Sequence, residues 1–102
     1  MKYLTGQGYE LVERNYRTRY GEIDLVLRQK NTLVFVEVKL RTGTGYGDPL
    51  ESVTPRKQDQ VRAVAEQYLD EVEPQFTDLR FDVVGIIVGN GKSTVSHVEN
   101  AF

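Results

Sequence analysis

The chain contains no cysteine and only one histidine. Without cysteine there is no disulfide framework, no thiolate nucleophile and no cysteine–histidine zinc site. Apolar runs are equally scarce: none approaches the roughly 18 consecutive residues that a membrane-spanning helix needs, so no membrane partner is expected. The N-terminus lacks the charged segment, apolar stretch and small-residue cleavage site of a secretory signal, which makes the cytoplasm the expected location. No repeat, low-complexity tract or linker breaks the 102 residues, and that length suits one hydrophobic core. A single domain over residues 1–102 is expected.

A strong excess of basic charge is also missing, since the net charge is −2. The charge is nevertheless uneven. Residues 1–62 hold eleven Lys/Arg against eight Asp/Glu, whereas residues 63–102 hold two against seven. A uniformly basic coat for nucleic acid is excluded, but a local polyanion-binding face opposite an acidic one is allowed.

What is present is a β-rich pattern. Lys2-Tyr3-Leu4-Thr5 before Gly6 and Gly8 reads as the last turn of a helix and its glycine stop. Tyr9 to Asn15 suits a first strand and Ile23 to Arg28 a second. A turn at Lys30-Asn31 follows. Leu33 to Val36 is apolar on both faces and leads into Glu37-Val38-Lys39, the pattern of a central strand that becomes polar at its end. The three glycines within 42–48 predict a mobile loop. Thr54-Pro55 offers an N-cap and a first helical proline, after which Val61, Val64, Ala65, Tyr68, Leu69 and Val72 recur at helical spacing. That stripe is core, and the acids at 66, 70, 71 and 73 form its solvated face. Arg80 to Val88 and Thr94 to Val98 read as strands joined through Gly89-Asn90-Gly91.

The chemistry is concentrated in the hairpin of strands 22–28 and 33–39. A two-residue or a four-residue loop at Lys30-Asn31 gives the same register, in which Asp24 faces Glu37 and Glu22 faces Lys39. An odd loop would break the match. Residues two apart share a face, so three acids and one lysine cluster on one side. Opposed carboxylates repel unless a cation lies between them, and hard oxygen ligands are those Mg²⁺ selects. Phosphodiester cleavage needs activated water and stabilised charge on the phosphate, which a carboxylate-held ion and the Lys39 ammonium can share. The structural alternative is a charged strand end with a Glu22–Lys39 ion pair and a solvated Asp24.

Four segments together resemble a known family: Gly21-Glu22-Ile23-Asp24-Leu25, Phe35-Val36-Glu37-Val38-Lys39-Leu40-Arg41, Arg80-Phe81-Asp82-Val83-Val84 and Ala101-Phe102. In this order they are similar to the YraN-like family of bacterial proteins, over essentially the whole chain. The resemblance implies kinship with archaeal Holliday-junction resolvases and a restriction-endonuclease-like α/β fold, three layers with a central mixed sheet flanked by helices. It places the family's acid and acid-x-lysine signature on Asp24, Glu37 and Lys39 as catalytic residues. Asp24, Glu37 and the Val38 carbonyl then become metal ligands for Mg²⁺, with Mn²⁺ as an alternative, and Glu22 a candidate auxiliary. Family members usually begin with a further helix bearing a Gly-Glu pair, and this chain starts after that position.

Arg14, Arg17, Arg19, Arg41, Arg56 and Lys57 are candidates for a phosphate track, aided by the helix start, with the glycine loop and Tyr46 adapting to distorted nucleic acid. Arg80 and Asp82 are expected to order a strand end. His97 is read as satisfied or exposed rather than as a ligand. The function these readings favour is a metal-dependent endonuclease acting on structured or branched DNA, with a homodimer allowed. Two alternatives stay open: a nucleic-acid-binding module with the fold but little or no turnover, and an interaction scaffold using the acidic helix.

Overall fold

A computed structural model describes residue 4 and residues 6–42, 53–89 and 91–102. The glycine loop at 43–48 with Tyr46, the opening residues Lys2, Tyr3 and Thr5, and Asn90 of the hairpin turn lie outside the described residues. Among the described residues, the elements with defined bounds follow in the order β1 (Glu10–Thr18), β2 (Gly21–Gln29), β3 (Thr32–Thr42), α1 (Pro55–Val72), β4 (Asp78–Gly89) and β5 (Lys92–Val98). The strands form one sheet in chain order, antiparallel at every junction except β3–β4, which is parallel. A parallel neighbour requires a crossover, and α1 supplies it. The architecture is α/β with a mixed sheet.

β3 is central, as its two-sided apolar run requires: Leu33, Val34, Phe35 and Val36 are all essentially without solvent contact. Phe35 and Leu33 face α1 and pack with Ile23, Val26, Val61, Val64, Ala65 and Tyr68. Val34 and Val36 face the other way, into a second cluster with Leu4, Tyr9, Leu27 and Val84. The helix begins where its cap predicts. Thr54 Oγ1 accepts from the Lys57 amide at 3.2 Å and Pro55 takes the first turn, where its missing N–H costs nothing. It ends at Glu73, whose left-handed backbone (φ 50) lets its amide reach the Leu69 carbonyl. Val72 departs from the expected stripe and is half exposed.

β1 runs to Thr18 rather than stopping at Asn15. Arg17 and Thr18 pair with Glu22 and Gly21 across a two-residue turn, so hairpin closure carries the strand through residues that propensity would leave out. Gly21 is needed there, with φ 146 and a Cβ that would come within 2.7 Å of the Gln60 side chain, itself bonded to the Tyr20 carbonyl. β3 likewise continues past Lys39 to Thr42 because its parallel ladder with β4 holds through Arg41↔Ile87 and Thr42↔Val88. No described helix is long and apolar enough to cross a membrane.

Candidate functional site

Asp24 and Glu37 lie on neighbouring strands, and β2 and β3 pair in the expected register from Gln29↔Thr32 through Arg28↔Leu33, Leu27↔Val34 and Val26↔Phe35 to Leu25↔Val36. The turn is the two-residue one, with Lys30 at φ 56. The ladder then stops one pair short of Asp24 and Glu37. Its physical cause is local: Asp24 Oδ2 accepts the Val38 amide at 2.7 Å, so a side-chain oxygen takes the amide that a β2 carbonyl would otherwise receive. On the other flank of β2, Asn15 adopts a left-handed backbone (φ 54) between the pairs Arg14↔Leu25 and Tyr16↔Ile23, opposite Asp24. The main chain is thus irregular on both sides of this aspartate.

Glu37 is buried, at 7% exposure, and faces α1. Its Oε1 lies 3.7 Å from Lys39 Nζ, and its Oε2 lies 3.8 Å from Lys57 Nζ in the first turn of α1. Both contacts neutralise charge but are too long to be hydrogen bonds. Oε2 is the one buried side-chain oxygen or nitrogen among the described residues that lacks a hydrogen-bond partner. Burial pushes the Glu37 carboxyl above its ordinary range, and the neighbouring Asp24 carboxylate adds to the rise, while Lys57 and Lys39 pull the other way. The result is two adjacent carboxyl groups, one with unused lone pairs in a dry place, flanked by two ammonium groups.

This donor set fits a hard divalent cation. Among the described residues no three Asp, Glu or His side chains converge on one point. Mg²⁺ does not require that, since it is commonly held by one or two carboxylates with water and substrate phosphate completing the shell.

Glu22 does not meet Lys39. It pairs with Arg17 instead, because the β1–β2 hairpin brings these two directly opposite each other. The cross-strand Glu22–Lys39 pair offered as the structural alternative is therefore replaced by Lys39–Glu37. The proposed phosphate track is only partly assembled. Lys57 joins the carboxylates, whereas Arg14 lines a cavity of about 400 Å³ with Asp24, Leu25 and Val38 on the sheet face turned away from α1. Arg41 continues β3 beyond Lys39, its guanidinium donating to the Leu40 carbonyl, and Arg56 is exposed at the helix start. Arg19 lies elsewhere: it stacks on Tyr20, 5.0 Å from the ring centre, and lines a depression with Glu66, Asp70 and Glu71. From its place in the sequence Lys57 is a phosphate-contact candidate alone. Its approach to Glu37 depends on how α1 crosses the sheet, which its spacing does not encode.

The second buried acid, Asp82, is fully satisfied. Arg80 donates to both of its oxygens at 2.9 and 2.8 Å, His97 Nε2 lies 2.7 Å away, and the Asn100 amide donates at 3.1 Å. Arg80 also donates to the Tyr9 hydroxyl.

Comparison with known proteins places the chain among relatives of its own size. The sequence model of the uncharacterised protein family UPF0102 matches residues 1–86. A UPF0102 protein of Syntrophomonas wolfei is 48% identical over 101 residues, covering 99% of this chain and 88% of that protein. One from Rhodococcus opacus is 47% identical over 102 residues, covering 99% and 86%. One from Dictyoglomus turgidum is 36% identical over 104 residues, covering 100% and 88%. The chain belongs to the UPF0102 family.

Proposed function

We propose that this protein is a metal-dependent endonuclease of restriction-endonuclease-like fold that hydrolyses phosphodiester bonds in structured or branched DNA. The observation that carries this reading is the buried, partnerless Oε2 of Glu37, set beside Asp24 and between Lys39 and Lys57. A fold that needed Glu37 only for stability would hydrogen-bond it, since a buried unsatisfied charged group is costly. Asp24, Glu37 and the Val38 carbonyl would hold Mg²⁺ or Mn²⁺, which when bound supplies positive charge and makes water more acidic. Asp24 is oriented for this by the Val38 amide, which donates to its Oδ2. Lys39 holds its ammonium beside Glu37 and stabilises the negative charge that grows on the phosphate during attack. Arg14, Arg41 and Arg56 guide the nucleic-acid backbone by local charge, which outweighs a net charge of −2 at contact distance.

A second reading, a nucleic-acid-binding module with little turnover, is favoured by the convergence of only two carboxylates among the described residues. Incubation of end-labelled four-way-junction and duplex DNA with Mg²⁺ separates the two. The nuclease reading expects junction cleavage that disappears in Asp24→Asn. Salt-sensitive binding without cleavage in either Mg²⁺ or Mn²⁺ would leave the binding module.

A further inference from the structure

We infer that Lys57 is an exchangeable internal counter-ion, holding Glu37 while no metal is bound and turning to the nucleic-acid phosphate once a divalent ion takes its place. The inference rests on the nuclease reading and assigns to Lys57 a role different from that of a fixed phosphate contact.

Lys57 and Lys39 approach different oxygens of the same carboxylate, and they differ in origin. Lys39 is two residues from Glu37 on the same strand and shares its face, so its position is set by β3 itself. Lys57 reaches Glu37 from α1, and its Nζ lies 3.8 Å from Oε2, the buried oxygen for which the described residues supply no hydrogen-bond partner. That oxygen is the natural ligand for an entering cation. An ammonium within about 4 Å of an oxygen that accepts a dication is repelled by it, and the repulsion is strong where water is scarce. Lys57 is free to respond, for its side chain is 30% exposed and carries four rotatable carbons, whereas its backbone is pinned by the Thr54 cap. The nearest new anion is the phosphate that the same ion attracts. Metal and Lys57 therefore compete for Glu37, while metal and nucleic acid cooperate through Lys57.

Titration calorimetry with Mg²⁺ and Mn²⁺, without nucleic acid, tests the competition on the intact protein. Lys57→Met, which keeps the apolar stem, and Lys57→Gln are expected to bind the ion roughly threefold to tenfold more tightly than wild type. Lys57→Arg keeps the charge and should bind it like wild type. The cooperation is read by measuring affinity for a DNA duplex in Ca²⁺ and in EDTA: Lys57→Met should weaken binding in Ca²⁺ and leave it unchanged in EDTA. Unchanged or weaker ion binding in both Lys57→Met and Lys57→Gln overturns the inference, as does an equal loss of DNA affinity in the two buffers. Wild-type protein that binds neither ion would instead overturn the nuclease reading, and the inference with it. Wild-type binding with no change in the variants overturns the inference alone.

Discussion

The two buried carboxylates of the described structure lie on adjacent strands yet are treated in opposite ways. Asp82 on β4 has no solvent exposure and receives hydrogen bonds from Arg80 and a backbone amide, with His97 also in contact. Glu37 on β3 is almost as buried, yet one of its oxygens has no hydrogen-bond donor and its lysines stand off at 3.7 and 3.8 Å. The same sheet can therefore satisfy a buried acid completely, and at Glu37 it does not. A charge held in a dry place without hydrogen bonds is unfavourable for folding and useful for binding a cation. Asp82 has the contacts of a structural acid, and Glu37 is the acid to which the proposed function assigns the metal.

Substitutions should break this contrast unequally. The largest effect on stability is expected from Asp82→Ala, which deprives the largely buried Arg80 and His97 of their shared carboxylate. Loss of roughly 3–5 kcal/mol, typical when one member of a buried pair is removed, should appear in urea unfolding. Lys39→Ala should leave the fold and Mg²⁺ binding intact while lowering DNA cleavage by about 10²–10³, the scale of losing one electrostatic stabiliser; parental cleavage would remove Lys39 from the mechanism.

Glu37→Gln should act in the opposite sense to Asp82→Ala and stabilise the protein, by on the order of 1 kcal/mol. Its pH dependence has a definite sign. Because burial holds the folded carboxyl above its ordinary value, the folded state binds more protons than the unfolded state just above that value. Wild-type stability should therefore fall as pH rises through that window, and Glu37→Gln should lack this component of the fall. A steeper fall in the variant would reverse the assignment of Glu37 as the strained acid. The smallest expected change is at Arg56, exposed at the helix start. Arg56→Ala should reduce the salt dependence of DNA binding by about one phosphate contact without altering cleavage chemistry.

Much of this contrast was legible in the sequence, but not all of it for the same reason. The β2–β3 register follows from an even turn at Lys30-Asn31 and from alternation, both local, and α1 announces itself through Thr54-Pro55 and its apolar stripe. The end of the ladder at Leu25↔Val36 was not legible, because it depends on an aspartate side chain outcompeting a carbonyl for the Val38 amide. Glu22 illustrates a related gap: an ideal hairpin sets it opposite Lys39, but Arg17, directly across from it on β1, is the partner it meets. The spacing of Arg80 and Asp82 is enough to mark them as ordering a strand end, whereas the contact of Asp82 with His97 rests on β4–β5 pairing, in which Val84 stands opposite His97. Lys57 required the tertiary placement of α1.

Thermal unfolding of wild type and Glu37→Gln, each with and without Mn²⁺, tests the central contrast most directly. A ligand that binds only the folded state raises its stability. The Tm of wild type should rise with Mn²⁺ concentration, while Glu37→Gln should start from a higher Tm and not respond. A wild-type Tm indifferent to Mn²⁺, or a Glu37→Gln protein that responds as strongly as wild type, would contradict the claim that the unsatisfied oxygen of Glu37 is kept for a metal ion.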